Sequence, residues 1–287
     1  MISGYFCLRK EPLWVLKKSI YIFKLLFFAE LFYGVWTIVS NCFLQDYLIA
    51  DVLVKNFENK SLIQILFCGT IFNGVLWYLY AMFWTWLFVF VIKKLKVEKK
   101  AYTLIPILLF LQVFGRFYVQ NHYDISNWVF LFRNALTFGI PFVLLGMFIS
   151  QYKIDLLEKI NMRRNILIIF LGFFVMIMEY IIVRQYMDVH VSTIILSIGL
   201  FLLALKLRGN VPSIFESFKI VGGRWYTWIY LTHVFFINLV DLLYDYLEIS
   251  KMWSMEYLRP VLVCVCSCLF AEMLENTLER VKKRRGL

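Results

Sequence analysis

Long blocks of apolar residues recur along the chain and restrict the kind of fold that it can adopt. Blocks of about 17 to 25 apolar residues match the roughly 30 Å hydrocarbon core of a bilayer, because a helix rises about 1.5 Å per residue. With 62% hydrophobic and 17% charged residues, the chain is not a soluble enzyme, a disulfide scaffold or a disordered protein. The sequence predicts an all-α, polytopic transmembrane helical bundle. About eight spans are expected, near residues 20–43, 70–92, 101–119, 130–150, 165–184, 190–205, 225–246 and 257–275.

The distribution of basic residues predicts how these helices thread the membrane. Of the 30 lysines and arginines, 22 fall in the five segments that share a side with the N-terminus, and 6 fall in the four opposite loops. Cytoplasmic loops of membrane proteins carry an excess of Lys and Arg. Both termini are therefore expected in the cytoplasm, and the net charge of +11 reflects topology rather than a nucleic-acid partner. The same count assigns Arg116 to an outer loop, residues 116–129.

No linker or internal repeat interrupts the sequence, so residues 1–287 are predicted to form a single integral-membrane domain. No cleavable signal peptide is expected, because the first residues lack an apolar stretch followed by a small-residue cleavage site. Cys264, Cys266 and Cys268 lie together in an apolar helix, a cluster that suits either a soft metal ion or small-residue packing. No metal site is predicted, since no histidine or further cysteine lies nearby in the sequence.

Ionisable residues inside the apolar blocks are the best indicators of a functional site, because a charge at the bilayer centre costs about 2.5 to 3.5 kcal/mol. Glu30 lies midway along the first span and either has a function or pairs with a buried partner. Arg133 offers a planar fork of donors suited to carboxylate or phosphate, and Pro141 is expected to break its helix nearby. Tyr230 and His233 share one helix face, where the histidine either packs as a satisfied core residue or handles a proton.

Four short segments together resemble the membrane acyltransferase 3 family, the integral-membrane O-acyltransferases that modify bacterial cell-surface sugars. Residues 76–79 (LWYL) are similar to the family's W-[YF]-L helix, and residues 133–146 (RNALTFGIPFVLLG) to its Arg followed by Pro-Phe and Leu-Gly pairs. Residues 223–233 (GRWYTWIYLTH) are similar to its Gly followed by Ile-Tyr-x-x-His, and residues 3–6 (SGYF) to the end of its second helix. The segments occur in the family's order, and the resemblance covers essentially the whole chain.

The resemblance implies an enzyme of the bacterial cytoplasmic (inner) membrane that uses acyl-CoA, expected to be acetyl-CoA, as its donor. The acyl group would pass to a hydroxyl of a cell-surface or exported glycan, with no bound cofactor. The family typically has ten helices and carries an essential histidine in an early one. This sequence has no counterpart of that helix, so we expect it to lack the family's first two helices. The resemblance therefore assigns no catalytic residue, and it leaves the activity of this chain open.

The resemblance also suggests which residues face the substrates. The candidates for lining the cavity or contacting the substrate are Glu30, Trp77, Arg133, Tyr230 and His233. Lys17 and Lys18 are candidate contacts for the phosphates of acyl-CoA, although the positive-inside rule explains them equally well. The alternative function is a non-catalytic or transport-type membrane domain that binds a small polar solute. An unrelated eight-helix transporter would be favoured by inverted internal symmetry, which the sequence does not display.

Overall fold

The described part of the computed structural model is helical throughout and contains no β-strand. It divides into two compact units, Met1–Arg208 and Gly209–Leu287. The single domain expected over residues 1–287 stays a prediction. The residues that the structure describes are 1–44, 48–58, 60–69, 71–123, 129–183, 188–207, 221–246 and 253–284.

The first unit is built from α-helices with two π-helical segments between them, Leu111–Gly115 and Ala135–Gly139. Its α-helices are α1 (Ile2–Cys7), α2 (Pro12–Leu44), α3 (Ile49–Phe57), α4 (Leu62–Cys68), α5 (Trp77–Lys94), α6 (Glu98–Ala101), α7 (Leu104–Phe110), α8 (Arg116–His122), α9 (Ile140–Gln151), α10 (Lys153–Lys159), α11 (Met162–Val183) and α12 (Val191–Lys206). In the second unit a third π-helical segment, Val221–Trp225, leads into α13 (Tyr226–Tyr246), and α14 (Trp253–Arg284) follows.

Helices lie at all eight positions that the sequence predicts. Within the described ranges, six stretches are long and apolar enough to cross a membrane: Pro12–Cys42, Gly74–Lys94, Glu98–His122, Met162–Val183, Val221–Tyr246 and Tyr257–Val281. A seventh, Ala135–Gln151, meets Lys153–Lys159 at a bend of 78°. The eighth, Val191–Lys206, has 16 residues and is shorter than an ordinary span. The polytopic helical bundle is confirmed, while the number of crossings and the location of the termini stay predictions.

Helix α11 illustrates how this protein distributes its apolar surface. Phe170 is 68% exposed and Ile182 is 74% exposed, so in a bilayer these side chains would contact lipid. The opposite side of α11 packs on α12 through small residues. A Cβ added at Gly172 would lie 2.7 Å from the side chain of Leu196, which means that the two helices approach closely at this glycine.

Helix α1 approaches α9 even more closely. A Cβ added at Gly4 would lie 2.0 Å from the carbonyl oxygen of Val143, which belongs to the backbone of α9. The backbone of a helix cannot move aside as the end of a flexible side chain can. Glycine at position 4 therefore allows α1 to pack along α9, which accounts for the glycine in the SGYF segment.

We expect Gly4→Ala to lower the free energy of unfolding by about 1 to 3 kcal/mol, because the new methyl group overlaps the α9 backbone. Thermal unfolding in a mild detergent, followed by loss of the monodisperse peak in size-exclusion chromatography, measures the change. Gly74→Ala is the matched control, since a Cβ at Gly74 meets nothing within 4 Å. Equal melting temperatures for the two variants would contradict the close packing of α1 on α9.

Candidate active site

Arg133 lies in a turn that its neighbour Asn134 holds in place. The Asn134 Oδ1 atom accepts hydrogen bonds from the backbone N–H groups of Leu136 at 2.8 Å and Thr137 at 3.2 Å. Its Nδ2 atom donates to the carbonyl of Phe130 at 3.0 Å. A side chain that caps the following helical segment and also bonds the preceding turn fixes the backbone on both sides. The backbone from which the Arg133 side chain extends is therefore held in one conformation, and the side chain itself is 33% exposed.

Pro141 lies in the first turn of α9, directly after the π-helical segment Ala135–Gly139. The helical winding continues from Ala135 to Gln151, so Pro141 lies inside a continuous helical stretch. A proline at such a position removes one backbone hydrogen bond, and its ring crowds the carbonyl four residues earlier, here that of Thr137 in the π-helical segment. The sequence predicted that Pro141 breaks a helix that also contains Arg133. The structure shows a change of winding directly before the proline, and it places Arg133 outside this helix.

Arg133 and Trp77, both predicted site residues, lie against each other. The guanidinium carbon of Arg133 is 6.0 Å from the centre of the Trp77 ring, within the range of a cation–π contact. Trp77 is the first residue of α5, and its ring also contacts the edge of Phe138 at 5.0 Å between ring centres. The guanidinium group of Arg133 thus packs against the Trp77 ring.

Asp188 joins Arg133 to a second arginine that the sequence assigned to an outer loop. Its Oδ1 atom accepts from the Arg133 Nη2 at 2.8 Å, and both of its oxygens lie 3.1 Å from the Arg133 Nε. Arg116 Nη1 donates to the Oδ2 of the same carboxylate. Arg116 is 3% exposed and belongs to α8, so its assignment to a loop was wrong. Two guanidinium groups therefore share one carboxylate in a largely buried position.

A partly open cavity of about 640 Å³ adjoins this cluster, and Asp188 lines it, whereas Arg116, Arg133 and Trp77 do not. Thr193, Ser197 and Tyr78 also line it. Most of the remaining surface is apolar and is supplied by Met82, Phe142, Val143, Leu200, Phe201 and Ala204. A largely apolar cavity of this size with a few convergent polar groups is typical of a small-molecule site. The charged cluster and the cavity together form the candidate active site.

Glu30, another predicted site residue, lies at a different place in the first unit. Its Oε1 atom accepts a hydrogen bond from the Tyr80 hydroxyl at 3.2 Å. Tyr80 and the cavity-lining Tyr78 are two residues apart on α5, so they point in directions about 200° apart around the helix. Burial lowers the pKa of the nearby Lys60 ammonium group, and the Glu30 carboxylate partly offsets that change. Glu30 thus has the partly buried Tyr80 as a hydrogen-bonding partner, and its role in the site stays a prediction.

Lys17 and Lys18 lie in the second turn of α2 and do not line the cavity. Lys17 is exposed, and the Lys18 ammonium group lies 5.3 Å from the centre of the Tyr21 ring. Their side chains are therefore available at the surface for an anionic group. Their role as contacts for the phosphates of acyl-CoA stays a prediction.

Tyr230 and His233 lie in the second unit, on α13. Their rings are neighbours at 5.9 Å, as the spacing of three residues predicts. The His233 Nδ1 atom is 2.7 Å from the Tyr230 carbonyl oxygen. Because a carbonyl oxygen only accepts, Nδ1 must carry the proton in this hydrogen bond. In the tautomer with the proton on Nδ1, Nε2 is the ring nitrogen that can accept a proton, which suits a general base.

Three polar pairs connect α13 and its preceding π-helical segment to α14. Arg224 pairs with Glu279 at 2.8 Å, Trp228 donates to Glu275 at 3.2 Å, and Arg259 pairs with Asp241.

The cysteine cluster predicted to be free of metal lies on α14, where Cys264 is exposed and Cys266 and Cys268 are partly exposed. No group of three or more potential metal ligands occurs among the residues described.

Arg116 and Asp188 are the site residues that sequence reasoning missed. A faint signal exists, because Gln112, Arg116 and Gln120 recur at intervals of four residues in an otherwise apolar helix. Polar residues at this spacing share one face, which suggests a polar lining rather than a loop. Asp188 gave no comparable signal, since it precedes α12 by three residues and resembles an ordinary loop residue.

Comparison with known proteins identifies the family of this chain. A family model described as an acyltransferase domain matches residues 1–272. No curated protein and no solved structure matches the chain significantly. The family match extends over almost the whole sequence and includes Trp77, Arg116, Arg133 and Asp188. The chain is therefore a multi-pass membrane protein that belongs to the acyltransferase 3 family.

Proposed function

We propose that this protein transfers an acetyl group from cytoplasmic acyl-CoA to a hydroxyl of a cell-surface or exported glycan, in the bacterial cytoplasmic membrane. One observation carries the proposal: Arg133 and Arg116 share the carboxylate of Asp188 at the wall of the 640 Å³ cavity. The family match supports an acyltransferase in general. The choice of acetyl-CoA and of a glycan rests on the resemblance of the sequence segments to that family.

The reaction needs positive charge at the position where negative charge develops. The acceptor hydroxyl oxygen attacks the thioester carbonyl carbon, which forms a C–O bond and places negative charge on the carbonyl oxygen. The C–S bond then breaks, and the proton lost by the hydroxyl leaves with CoA as its thiol. Arg133 would stabilise the carbonyl oxygen, because a guanidinium group bonded to Asp188 beside a largely apolar cavity interacts more strongly than one in water.

The cavity lining suits the other parts of the two substrates. Apolar residues such as Phe142 and Leu200 would contact the acyl group and the adjoining carbon chain of the donor. The Thr193 and Ser197 hydroxyls would bond a polar group of the donor or acceptor. Lys17 and Lys18 would bind the phosphates of CoA at the cytoplasmic surface. Glu30, Tyr230 and His233 remain candidates for contacts with the acceptor.

A transfer assay with a matched lysine control tests this proposal. Inverted membrane vesicles containing the protein receive acetyl-CoA labelled in the acetyl group, and label in the glycan fraction is counted. We expect transfer by the wild-type protein and an approximately tenfold higher KM for acetyl-CoA in a Lys17→Gln/Lys18→Gln variant, because hydrogen bonds between charged groups are lost. The exposed Lys24→Gln variant, altered on the same helix, should keep the wild-type KM.

Absence of label transfer by an abundant wild-type protein would reject acyl transfer. Saturable binding of a small polar solute without transfer would instead support the second function, in which the same cavity holds a solute through Asp188, Thr193 and Ser197. An unchanged KM in the double lysine variant would remove Lys17 and Lys18 from the CoA site while leaving the transfer reaction in place.

A further inference from the structure

Both carboxylate oxygens of Asp188 accept hydrogen bonds from the Arg133 guanidinium. The Nη2 atom of Arg133 donates to Oδ1 at 2.8 Å, and Nε lies 3.1 Å from each oxygen. A bidentate pair of this kind fixes the orientation of the guanidinium plane as well as its distance from the carboxylate. Asp188 thus determines the direction in which the remaining edge of Arg133 faces.

The backbone around Asp188 is itself held in place. Glu179 of α11 accepts hydrogen bonds from the backbone N–H groups of Val191 at 2.8 Å and Ser192 at 3.1 Å, which anchors the first turn of α12. A carboxylate at a helix N-terminus is favourable, because it faces unpaired N–H groups and the positive end of the helix dipole. Val189, 1% exposed, packs next to Val113 in a small apolar cluster. These contacts anchor the residues that directly follow Asp188.

Charge makes the position of Arg133 depend on Asp188. Within the cluster two positive groups face one negative group. Arg116 is 3% exposed and also lies over the Phe132 ring, so it has little freedom to move. Arg133 is 33% exposed and is the group that can turn outwards. Without the Asp188 carboxylate, repulsion between the guanidinium groups would move Arg133 away from Trp77.

We propose that Asp188, which lines the cavity, is a positioning residue that holds the Arg133 guanidinium against Trp77 and acts on the substrate through Arg133. The kinetic consequence of this proposal rests on the proposed acyl transfer, whereas its structural consequence does not. Arg116 supplies the second positive charge that faces the largely buried Asp188 carboxylate. The three residues therefore work as one unit, in which only Arg133 would touch the reacting carbonyl oxygen.

The position of Arg133 can be read from Trp77 without any assay of activity. Full-length protein labelled with 5-fluorotryptophan gives ¹⁹F resonances, and Trp77→Phe identifies the one from Trp77. We expect Asp188→Asn to displace the Trp77 resonance in the same direction as Arg133→Ala, because both remove the guanidinium from the ring. The resonance of Trp228, which belongs to the second unit, should stay unchanged in both variants.

A second variant separates positioning from simple charge neutralisation. Arg116→Gln/Asp188→Asn removes one charge of each sign, so it restores the charge balance of the cluster if Asp188→Asn alone folds poorly. We expect Trp77 to remain displaced in this double variant, because the bidentate Asp188 carboxylate that orients Arg133 is still absent. Return of the resonance to its wild-type position would overturn the proposal, since Asp188 would then serve only to neutralise Arg116.

The kinetics of the Asp188→Asn variant test the effect of Asp188 on the transfer reaction. We expect Asp188→Asn to lower kcat by about 10²-fold with little change in KM for acetyl-CoA, since misplacement of a reacting group by about 1 Å has an effect of this size. Addition of Asp188→Asn to Arg133→Ala should cause no further loss. Fully additive losses would overturn the proposal. Lack of transfer by the wild-type protein would reject the proposed reaction, while the Trp77 resonance would still decide the role of Asp188.

Discussion

Replacement of Arg133 by alanine is expected to lower kcat/KM for acetyl transfer by about 10²- to 10³-fold, with protein abundance unchanged. The loss follows from removal of the donor that would face the carbonyl oxygen in the transition state. Folding should be preserved, because the Asp188 carboxylate keeps its pairing with Arg116 when Arg133 is absent. Initial rates at several acetyl-CoA concentrations, normalised to protein in the membrane, measure the change.

Arg133→Lys is the matched variant for this prediction. Lysine keeps the positive charge but lacks the planar fork that meets both oxygens of Asp188. We therefore expect an activity between those of the wild-type and alanine proteins. Full activity of Arg133→Ala would remove Arg133 from the site, and full activity of Arg133→Lys would show that charge alone is sufficient.

Replacement of Arg116 by methionine is expected to have the largest effect on stability, a loss of about 3 kcal/mol in the free energy of unfolding. Arg116 is 3% exposed, and its removal leaves a buried carboxylate paired only with the more exposed Arg133. Methionine fills a similar volume, so the effect reports the lost ion pair rather than a cavity. Thermal unfolding in detergent, combined with titration by a denaturant, measures the loss.

Arg224→Met provides the control, because this arginine also pairs with a carboxylate at 2.8 Å but is 63% exposed. An exposed pair of this kind contributes at most about 1 kcal/mol. The two variants therefore compare similar pairs of groups in buried and exposed positions. Comparable losses in both would contradict the structural importance of the buried cluster.

The helical architecture could be predicted because the bilayer imposes it on the sequence. Helix length is set by the thickness of the hydrocarbon core, and apolar blocks of that length are visible without any knowledge of tertiary contacts. All eight expected helical segments are present. The division into two units was not predictable, since no change of composition marks it.

The candidate site could be predicted only in part. Arg133 carried a local signal, a charge at membrane depth, and Trp77 was a candidate through the resemblance of its segment to the family. The structure brings the two residues together. Arg116 and Asp188 are 72 residues apart, and nothing in either local sequence indicates the other. Arg116 was assigned to a loop because it lies near the outer end of its span, where basic residues usually define topology. Pairing between distant residues requires tertiary information that one sequence does not contain.

The π-helical segment Leu111–Gly115 holds one residue more than an ordinary helical turn would need. Loss of a single codon there would let the stretch rewind as an α-helix, because five residues that turn about 80° each rotate the chain about as far as four that turn 100° each. Arg116 follows the segment directly and would keep nearly the same direction towards Asp188. Loss of one codon from a regular α-helix such as α11 would instead turn the residues beyond it by roughly 100°. The π-helical segment is therefore a place in this span where a change of length disturbs the site least.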